Sequence, residues 1–232
     1  MLSARLRALS HPAAVSALAA LGIALACARA DDMASLKASA VATKLSELAP
    51  AVLTRLPAPT TGAVSKIKAS ELWQTRPAVV LVLRRPGWVF CRSEAAKLHE
   101  RKAEINDLGC DLVCLLKENI ADEVEAFHRE PYWSPSTPLY LDEDMTFFRA
   151  LGGGKVRKGG LSSFFKPGLW KRYGKMDKAT KEDANLKGEG TILGGTYVVS
   201  KEGVQYQFKE KDFGVAAPLD EIIDACKRAA GK

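Results

Sequence analysis

Short apolar runs alternate with amphipathic segments over residues 64–230 of this 232-residue chain. The run Ala-Val-Val-Leu-Val-Leu at 78–83 is rich in β-branched residues and is typical of a buried strand. From Cys91 onward, apolar residues recur at helical spacing until Gly109, which predicts a helix. The remaining expected elements are a helix over Ser65–Trp73, strands over 77–84, 111–117 and 138–141, helices over 121–128 and 144–150, strands over 191–200 and 203–209, and a helix over 217–230. This alternation predicts an α/β layer fold.

A Pro-Gly turn follows the strand over 77–84, and Cys91 lies at the start of the helix predicted after that turn. Unpaired backbone N–H groups and the positive end of the helix dipole favour an anion at this position. Arg84, Arg85 and Arg92 add positive charge nearby, and both features lower the pKa of a cysteine. The pattern therefore favours a reactive thiolate at Cys91. A buried, inert cysteine at the start of a helix is the alternative.

Motifs along the chain extend this interpretation. They are Arg84-Arg-Pro-Gly-Trp-Val-Phe-Cys-Arg-Ser-Glu-Ala-Ala, Leu116-Lys-Glu, Leu139-Tyr-Leu-Asp, Asn185-Leu-Lys-Gly-Glu-Gly, Ile192-Leu-Gly-Gly-Thr-Tyr-Val-Val and Lys209-Glu-Lys-Asp-Phe-Gly. In this order, over about residues 64–230, they resemble the peroxiredoxin-like 2 family. That family includes the prostamide/prostaglandin F synthases and belongs to the thioredoxin-like alkyl hydroperoxide reductase/thiol-specific antioxidant superfamily. The resemblance implies a thioredoxin-like fold with a central mixed sheet flanked by helices, and it puts Cys91 at the position of the peroxidatic cysteine.

Trp88 replaces the first cysteine of the Arg-Arg-Pro-Gly-Cys-x-x-Cys motif that many members of the family carry. A Cys-x-x-Cys pair closes a disulfide within one turn and so accepts and returns electrons by itself. With Trp88 the resemblance implies one-cysteine chemistry, in which Cys91 attacks a peroxide, becomes a sulfenic acid and is reduced by another thiol. The supporting residues are then Arg84, Arg85, Pro86, Trp88 and Arg92. The lost cysteine makes a prostaglandin F synthase-type reductase the weaker alternative, and Trp88 instead shields the sulfur or offers an aromatic wall to an apolar substrate.

The thiol that reduces Cys91 again must be sought among Cys27, Cys110, Cys114 and Cys226, or in an external reductant. Cys114 lies in a predicted strand and is expected in the core. Cys110 lies at the far end of a helix about 25 Å long, beyond the reach of a disulfide. Cys226, in the predicted C-terminal helix, is a possible resolving thiol that only its placement in the fold could qualify, and we favour an external reductant, thioredoxin or glutathione. The histidines are scattered and no Cys/His spacing indicates zinc, so no bound metal or cofactor is expected.

The insertion at 152–185 combines glycines, aromatic rings and cations. Between Gly152 and Met176 there are seven Lys or Arg residues and no acid. Its apolar residues are Phe164, Phe165, Leu169, Trp170 and Tyr173. They either roof the active site, the interpretation we favour, or lie on a membrane surface with the cations toward anionic headgroups. Nucleic-acid binding rests only on the net charge of +7 and lacks a motif, so no nucleic-acid partner is expected.

Residues 1–30 contain arginines, no acid and an uncharged stretch at 12–28. They are typical of a targeting segment or a membrane anchor, and their cleavage stays open. We expect an organellar, mitochondrial and membrane-associated protein, with the secretory pathway or a plastid as the alternatives. Residues 31–63 are expected to form an amphipathic helix and a linker, and residues 64–232 the thioredoxin-like, peroxiredoxin-like domain.

Two functions of different classes fit these features. In the first, the protein is a thiol peroxidase with an antioxidant role, in which Cys91 reduces a peroxide or lipid hydroperoxide and a thiol reductant restores Cys91. In the second, it is a redox-inactive, thioredoxin-fold accessory subunit of an organellar membrane complex. Trp88, the N-terminal segment and the basic aromatic insertion favour the second function.

Overall fold

One mixed sheet forms the centre of the protein. This computed structural model describes residues 43–56 and 65–231. The strands are β1 (Val52–Leu56), β2 (Lys66–Lys68), β3 (Ala78–Leu83), β4 (Asp111–Leu116), β5 (Leu139–Leu141), β6 (Gly195–Ser200) and β7 (Gly203–Lys209). They pair in the order β2-β1-β5-β4-β3-β6-β7.

The parallel strands β3, β4 and β5 bring the most apolar runs of the chain together. β3 pairs with β4, with Ala78 opposite Asp111, and β4 pairs with β5. β1 and β6 border this group as antiparallel neighbours. Every residue of β3 is buried, as expected for a parallel strand that is covered on both faces. The predicted α/β fold with a central mixed sheet is confirmed.

Helices cover the sheet on both faces. The α-helices are α1 (Leu45–Leu48), α2 (Val89–Glu100), α3 (Lys102–Asp107), α4 (Ala121–Phe127), α5 (Thr146–Leu151), α6 (Pro167–Gly174), α7 (Lys178–Glu182) and α8 (Leu219–Ala229). Two short 3₁₀ turns cover Ala69–Trp73 and Leu161–Phe165. Within residues 43–56 and 65–231, none of these helices has the length and apolar character that a membrane crossing requires.

Alternate residues of β3 point into two separate cores. Val79 and Leu81 pack with residues of α2 and α8 in the first core, which also contains Cys91. Val80 and Val82 pack with residues of α1 and α5 in the second core. This division follows from the two-residue period of a strand. Because α2 belongs to the first core, the turn that joins β3 to α2 positions the candidate site on that side of the sheet.

The N-terminal part of the domain differs from expectation. The helix expected over Ser65–Trp73 is the strand β2 followed by a 3₁₀ turn, because Ile67 pairs with Leu53 at the edge of the sheet. The helix and linker expected over 31–63 include the short helix α1 and the strand β1. Pairing between strands outweighs local propensity at both places. The targeting segment or anchor predicted for residues 1–30 lies outside the described residues and stays a prediction.

Candidate active site

Cys91 lies in the first turn of α2, just beyond the end of β3. The strand ends at Leu83 and the helix begins at Val89, so residues 84–88 form the turn between them. The backbone N–H of Arg85 in this turn donates a hydrogen bond to the Cys91 sulfur. The strand–turn–helix arrangement is the one that the sequence predicts. It places the sulfur where the N–H groups of a helix start favour negative charge.

The turn is compact because Gly87 has no side chain. A Cβ at this position would lie 2.3 Å from Oε2 of Glu123 and 2.6 Å from Oδ1 of Asn185. The backbone N–H of Asn185 donates to the Gly87 carbonyl at 2.8 Å, and its side-chain amide donates to Glu123 at 2.7 Å. The Pro-Gly turn therefore packs against Glu123 of α4 and is hydrogen-bonded to Asn185 at the end of the insertion.

The Cys91 thiol is buried, with 3% of the residue exposed. Burial raises the pKa of Cys91 to about 11; the Arg84 charge opposes this shift, and the carboxyl groups of Glu210 and Glu94 add to it. In this conformation the thiol is therefore protonated at neutral pH. The expectation that the helix start and the arginines lower the pKa of Cys91 is wrong for this conformation. Removing the thiolate from water costs more free energy than its interactions with those charges provide.

Three aromatic residues belong to the same apolar cluster as Cys91. We call these residues, Trp88, Phe90 and Phe213, the aromatic cover. Trp88 meets Phe90 edge to face with 5.3 Å between ring centroids, and it meets Phe213 at 5.1 Å. The guanidinium carbon of Arg84 lies 4.0 Å from the Trp88 centroid. Trp88 therefore fills the position of the missing cysteine with a packed ring in the apolar cluster that buries Cys91.

Arg84 pairs with Glu210, a residue to which the sequence gave us no reason to assign a role. Arg84 Nη2 donates to Glu210 Oε1, and both side chains are almost fully buried. Glu210 also accepts hydrogen bonds from the backbone N–H groups of Gly194 at 2.9 Å and Gly214 at 3.1 Å. A buried charge requires partners of this kind. An arginine directly after a buried strand indicates that an acid must balance it, but not where in the chain that acid lies.

Arg85 joins the turn to the segment after the insertion. Its Nη1 donates to the carbonyls of Leu186 at 2.8 Å and Gly188 at 3.2 Å. Burial lowers the pKa of Arg85, and the negative form of Cys91 opposes that shift. Its buried Nε has no hydrogen-bond partner in the part of the chain that the structure describes. The site thus contains an unused N–H donor on a cation that interacts with the thiol.

Arg92 braces the turn from the helix side. Its Nε donates to the Pro86 carbonyl at 2.9 Å, and its Nη1 donates to the Asp183 carbonyl at 2.6 Å. Its Nη2 lies 3.5 Å from a carboxylate oxygen of Glu123. The positive charge of Arg92, which we expected to act on the Cys91 thiol, is therefore balanced by the Glu123 carboxylate. Arg92 and Pro86 together hold the shape of the turn.

Cys114 lies close to Cys91 within the protein. It is on β4, in the apolar cluster that contains Cys91. Burial raises the pKa of Cys114 well above its usual range, and the charge of an ionised Cys91 adds to that shift. The expected core position of Cys114 agrees with this placement.

In the described residues, no group of His, Cys, Asp and Glu side chains could hold a metal ion.

Cys226 lies against Cys110 rather than Cys91. The Cys110 sulfur is 3.7 Å from the Cys226 carbonyl oxygen, and hydrogen bonding with Cys110 raises the pKa of Cys226. Because β4 starts beside the start of β3, the Cys110 end of the sheet is about 20 Å from the turn that precedes Cys91. Cys226 is therefore not positioned in this conformation to form a disulfide with Cys91, and its candidacy as a resolving thiol loses its structural basis.

Glu94 is a second titratable group near the thiol. It follows Cys91 at helical spacing i,i+3, which places both on one side of α2. It lines a cavity of about 40 Å³ together with Thr196 and Leu219. Burial raises the pKa of Glu94 to about 8, and the charge of Glu210 adds to the shift. The spacing from Cys91 was visible in the sequence, whereas the burial that shifts the pKa was not.

The insertion roofs the site only in part. Phe164 packs on Phe213 with 5.4 Å between centroids. Leu169 is buried in the cluster that contains Cys91. Phe165 and Trp170 point to solvent instead. The expected roof therefore applies to Phe164 and Leu169, and the outward rings need another explanation.

The comparisons with known proteins agree with this architecture. Residues 97–212 match the family model described as AhpC/TSA antioxidant enzyme. A solved structure of Xanthomonas campestris peroxiredoxin Q superposes with a TM-score of 0.53 at 14% identity, covering 81% of this chain and 96% of that one. At that identity, the likeness establishes the thioredoxin-like fold of peroxiredoxins.

Curated relatives add the family. The chain is 37% identical over 163 residues to peroxiredoxin-like 2A of Xenopus tropicalis, covering 69% of this chain and 68% of that protein. It is 36% identical over 162 residues to human peroxiredoxin-like 2A, covering 69% and 67%. The resemblance drawn from the motifs is thereby confirmed. The chain belongs to the family of the peroxiredoxin-like 2A proteins, with a domain of the AhpC/TSA antioxidant-enzyme type.

Proposed function

We propose that this protein is a thiol peroxidase that reduces peroxides, including lipid hydroperoxides, by one-cysteine chemistry at Cys91. Family membership supports a peroxiredoxin-like redox role. The observation that carries the finer proposal is the position of Cys91 at the start of α2, with the Arg85 N–H on its sulfur and the Arg84 charge nearby. Donors and a cation around a thiolate stabilise the negative charge that moves from sulfur to oxygen during the reaction.

The reaction proceeds in two stages. The Cys91 thiolate attacks one peroxide oxygen, the O–O bond breaks, and the leaving alkoxide takes a proton to become an alcohol. Cys91 is then a sulfenic acid. A first reductant thiol condenses with it, releasing water and forming a mixed disulfide, and a second thiol displaces Cys91 as a free thiol. The net change is one peroxide and two thiols converted to an alcohol, water and one disulfide.

The buried state of Cys91 makes this conformation a closed one. The Cys91 residue is 3% exposed and its pKa is about 11, so its thiol neither ionises readily at neutral pH nor meets substrate. Displacement of the aromatic cover admits both water and peroxide, which lowers the desolvation cost of the thiolate. Arg84 and Arg85 then act on the sulfur and on the peroxide.

Among the described residues no thiol is placed to reduce Cys91 again, and Cys27 lies outside them. Trp88 cannot form a disulfide, and Cys226 lies against Cys110. Cys114 is near Cys91 but is a buried residue in the middle of a central strand. We therefore propose thioredoxin or glutathione as the reductant.

Peroxide titration of the purified full chain tests the proposal. The reduced wild type should consume about one peroxide per chain without added reductant, because a sulfenic acid forms once. Cys114→Ser is the matched control, since Cys114 is also buried in the first core; it should consume the same amount. Cys91→Ser should consume none. Equal consumption by Cys91→Ser and the wild type would contradict the proposal.

The second candidate function is a redox-inactive accessory subunit of an organellar membrane complex. The packed Trp88 ring and the protonated Cys91 favour it. Isolation from native membranes distinguishes the two functions. Co-migration with a large assembly at fixed stoichiometry, in the wild type and in Cys91→Ser alike, would support the accessory role. A protein that migrates alone and consumes peroxide would rule it out.

A further inference from the structure

The insertion exposes aromatic rings that a soluble surface would normally bury. Phe164, Phe165, Trp170 and Tyr173 are 41%, 86%, 58% and 37% exposed, respectively. They lie within one short stretch of chain that spans the second 3₁₀ turn and α6. Several large apolar side chains exposed within one short stretch indicate an interaction surface. We call these four rings, together with Lys171 and Lys175, the basic aromatic face.

Contacts within the stretch hold the Trp170 and Tyr173 rings in their outward positions. Trp170 Nε1 donates to the Phe164 carbonyl at 2.9 Å, and the Trp170 and Tyr173 rings meet edge to face at 6.1 Å. On the inner side of α6, Leu169 is buried. Arg172 donates to the Phe213 carbonyl at 2.8 Å. The stretch is therefore attached to the domain through Leu169, Arg172 and the inner side of Phe164, while Phe165, Trp170 and Tyr173 face solvent.

The charge around these rings is positive. Seven Lys or Arg residues and no acid occur between Gly152 and Met176. The next acidic residue along the chain is Asp177, and its carboxylate oxygens accept hydrogen bonds from the backbone N–H and the hydroxyl of Thr180. One of the seven cations, Lys166, pairs with Asp212, whereas Lys171 and Lys175 are exposed and form no ion pair with the residues that the structure describes. Their charges are thus free to meet an anionic partner.

We propose that the basic aromatic face docks on the surface of an anionic phospholipid bilayer. Tyr and Trp rings have an apolar body and a polar edge, which suits the boundary between headgroups and acyl chains. Exposed lysines beside them are attracted to anionic headgroups. The charge complementarity, and the position of the apolar rings among cations rather than in a groove, select a lipid surface as the occupant. This inference goes beyond the proposed function and does not depend on chemistry at Cys91.

Flotation of the full chain with vesicles tests the proposal. One set contains phosphatidylcholine alone, and the other contains phosphatidylcholine with phosphatidylserine. Any binding that comes from residues 1–30 is common to all variants, so the readout is the change caused by each substitution. Lys171→Glu/Lys175→Glu should lower the affinity for the phosphatidylserine vesicles by about tenfold or more. Added salt should also lower the affinity of the wild type for these vesicles. Phe165→Ser should lower affinity for the same vesicles without loss of the fold, because its ring is exposed.

Matched controls separate this face from general electrostatics. Lys66→Glu/Lys68→Glu makes the same charge change on the exposed edge strand β2, and Leu186→Ser removes another exposed apolar side chain. Both should bind as the wild type does. Equal loss in controls and face variants, or wild-type binding by the face variants, would overturn the proposal. Binding to neither vesicle, with self-association that Phe165→Ser abolishes, would assign the face to a second copy of the chain and would also overturn it.

Discussion

The Arg84 guanidinium lies over the Trp88 ring, with 4.0 Å between its central carbon and the ring centroid. A cation desolvated over an indole ring is stabilised by the ring's negative face. Because Glu210 holds the same guanidinium from another side, Arg84 is fixed between an acid and an aromatic ring. The replacement of a cysteine by Trp88 therefore does two things at once: it removes a thiol and it supplies packing for the cation beside Cys91.

Restoring the cysteine should restore internal recycling. Trp88→Cys recreates the Cys-x-x-Cys spacing at a helix start, so peroxide should produce a disulfide between the introduced thiol and Cys91. Free-thiol counting before and after peroxide, with peptide mass mapping, measures it. The loss of the ring should also lower the free energy of unfolding by about 3–5 kcal/mol.

Trp88→Ser is the control for this variant, because it removes the ring without adding a thiol. It should be destabilised to a similar extent and should form no such disulfide. If one equivalent of peroxide left Cys91 unlinked in Trp88→Cys, the placement of residue 88 within disulfide reach of Cys91 would be contradicted.

Removing a ring from the aromatic cover should expose Cys91. Phe213 packs on Trp88 with 5.1 Å between centroids, so Phe213→Ala should raise the rate of Cys91 alkylation by iodoacetamide by about an order of magnitude, through easier ionisation and access. Phe147→Ala is the matched control, since Phe147 is equally buried but belongs to the second core. Rates are compared under conditions where both variants are fully folded. Equal acceleration by both variants would mean that global loosening, rather than this cover, controls access.

Glu94 should make stability fall with rising pH. Its pKa rises from an ordinary 4.5 to about 8 in the folded chain, first because of burial and then because of Glu210. The native state therefore keeps a proton that the unfolded state releases. The stabilisation from protonated Glu94 is fully present below pH 4.5 and is lost as pH rises through about 8.

Glu94→Gln keeps the shape of the side chain and cannot ionise. Its free energy of unfolding should exceed that of the wild type above about pH 8, and its pH profile between 5 and 8 should be flatter; each pKa unit corresponds to about 1.4 kcal/mol before solvent screening. Denaturant titrations across this range measure it. Glu100→Gln, an exposed position on the same helix, should follow the wild-type profile. Superimposable profiles for wild type and Glu94→Gln would refute the assignment.

The elements that the sequence predicts best are those with strong local signals. The run 78–83 is apolar on both faces and is recognisable as a buried strand without any knowledge of its neighbours. The strand Lys66–Lys68 has a single apolar residue and acquires its structure from pairing with β1. Its extended conformation therefore could not be read from local pattern alone.

The candidate site shows the same division. The position of Cys91 at a helix start follows from the local strand–turn–helix pattern. The direction of its pKa shift does not, because it depends on burial and on Glu210, which meets Arg84 from 126 residues away. The contact of Cys226 with Cys110 likewise spans 116 residues. Local pattern identifies which side chain can react, whereas its ionisation and its partners depend on tertiary packing.

The most direct test of the account is to locate the oxidised sulfur. The reduced full chain is treated with one equivalent of hydrogen peroxide in the presence of dimedone, which traps sulfenic acids, and its peptides are mapped by mass spectrometry. We predict a dimedone adduct on the peptide that contains Cys91, formed faster in Phe213→Ala than in the wild type. An unmodified Cys91 under excess peroxide, or adducts confined to the other four cysteines, Cys27, Cys110, Cys114 and Cys226, would contradict the assignment of Cys91 as the peroxide-reducing residue.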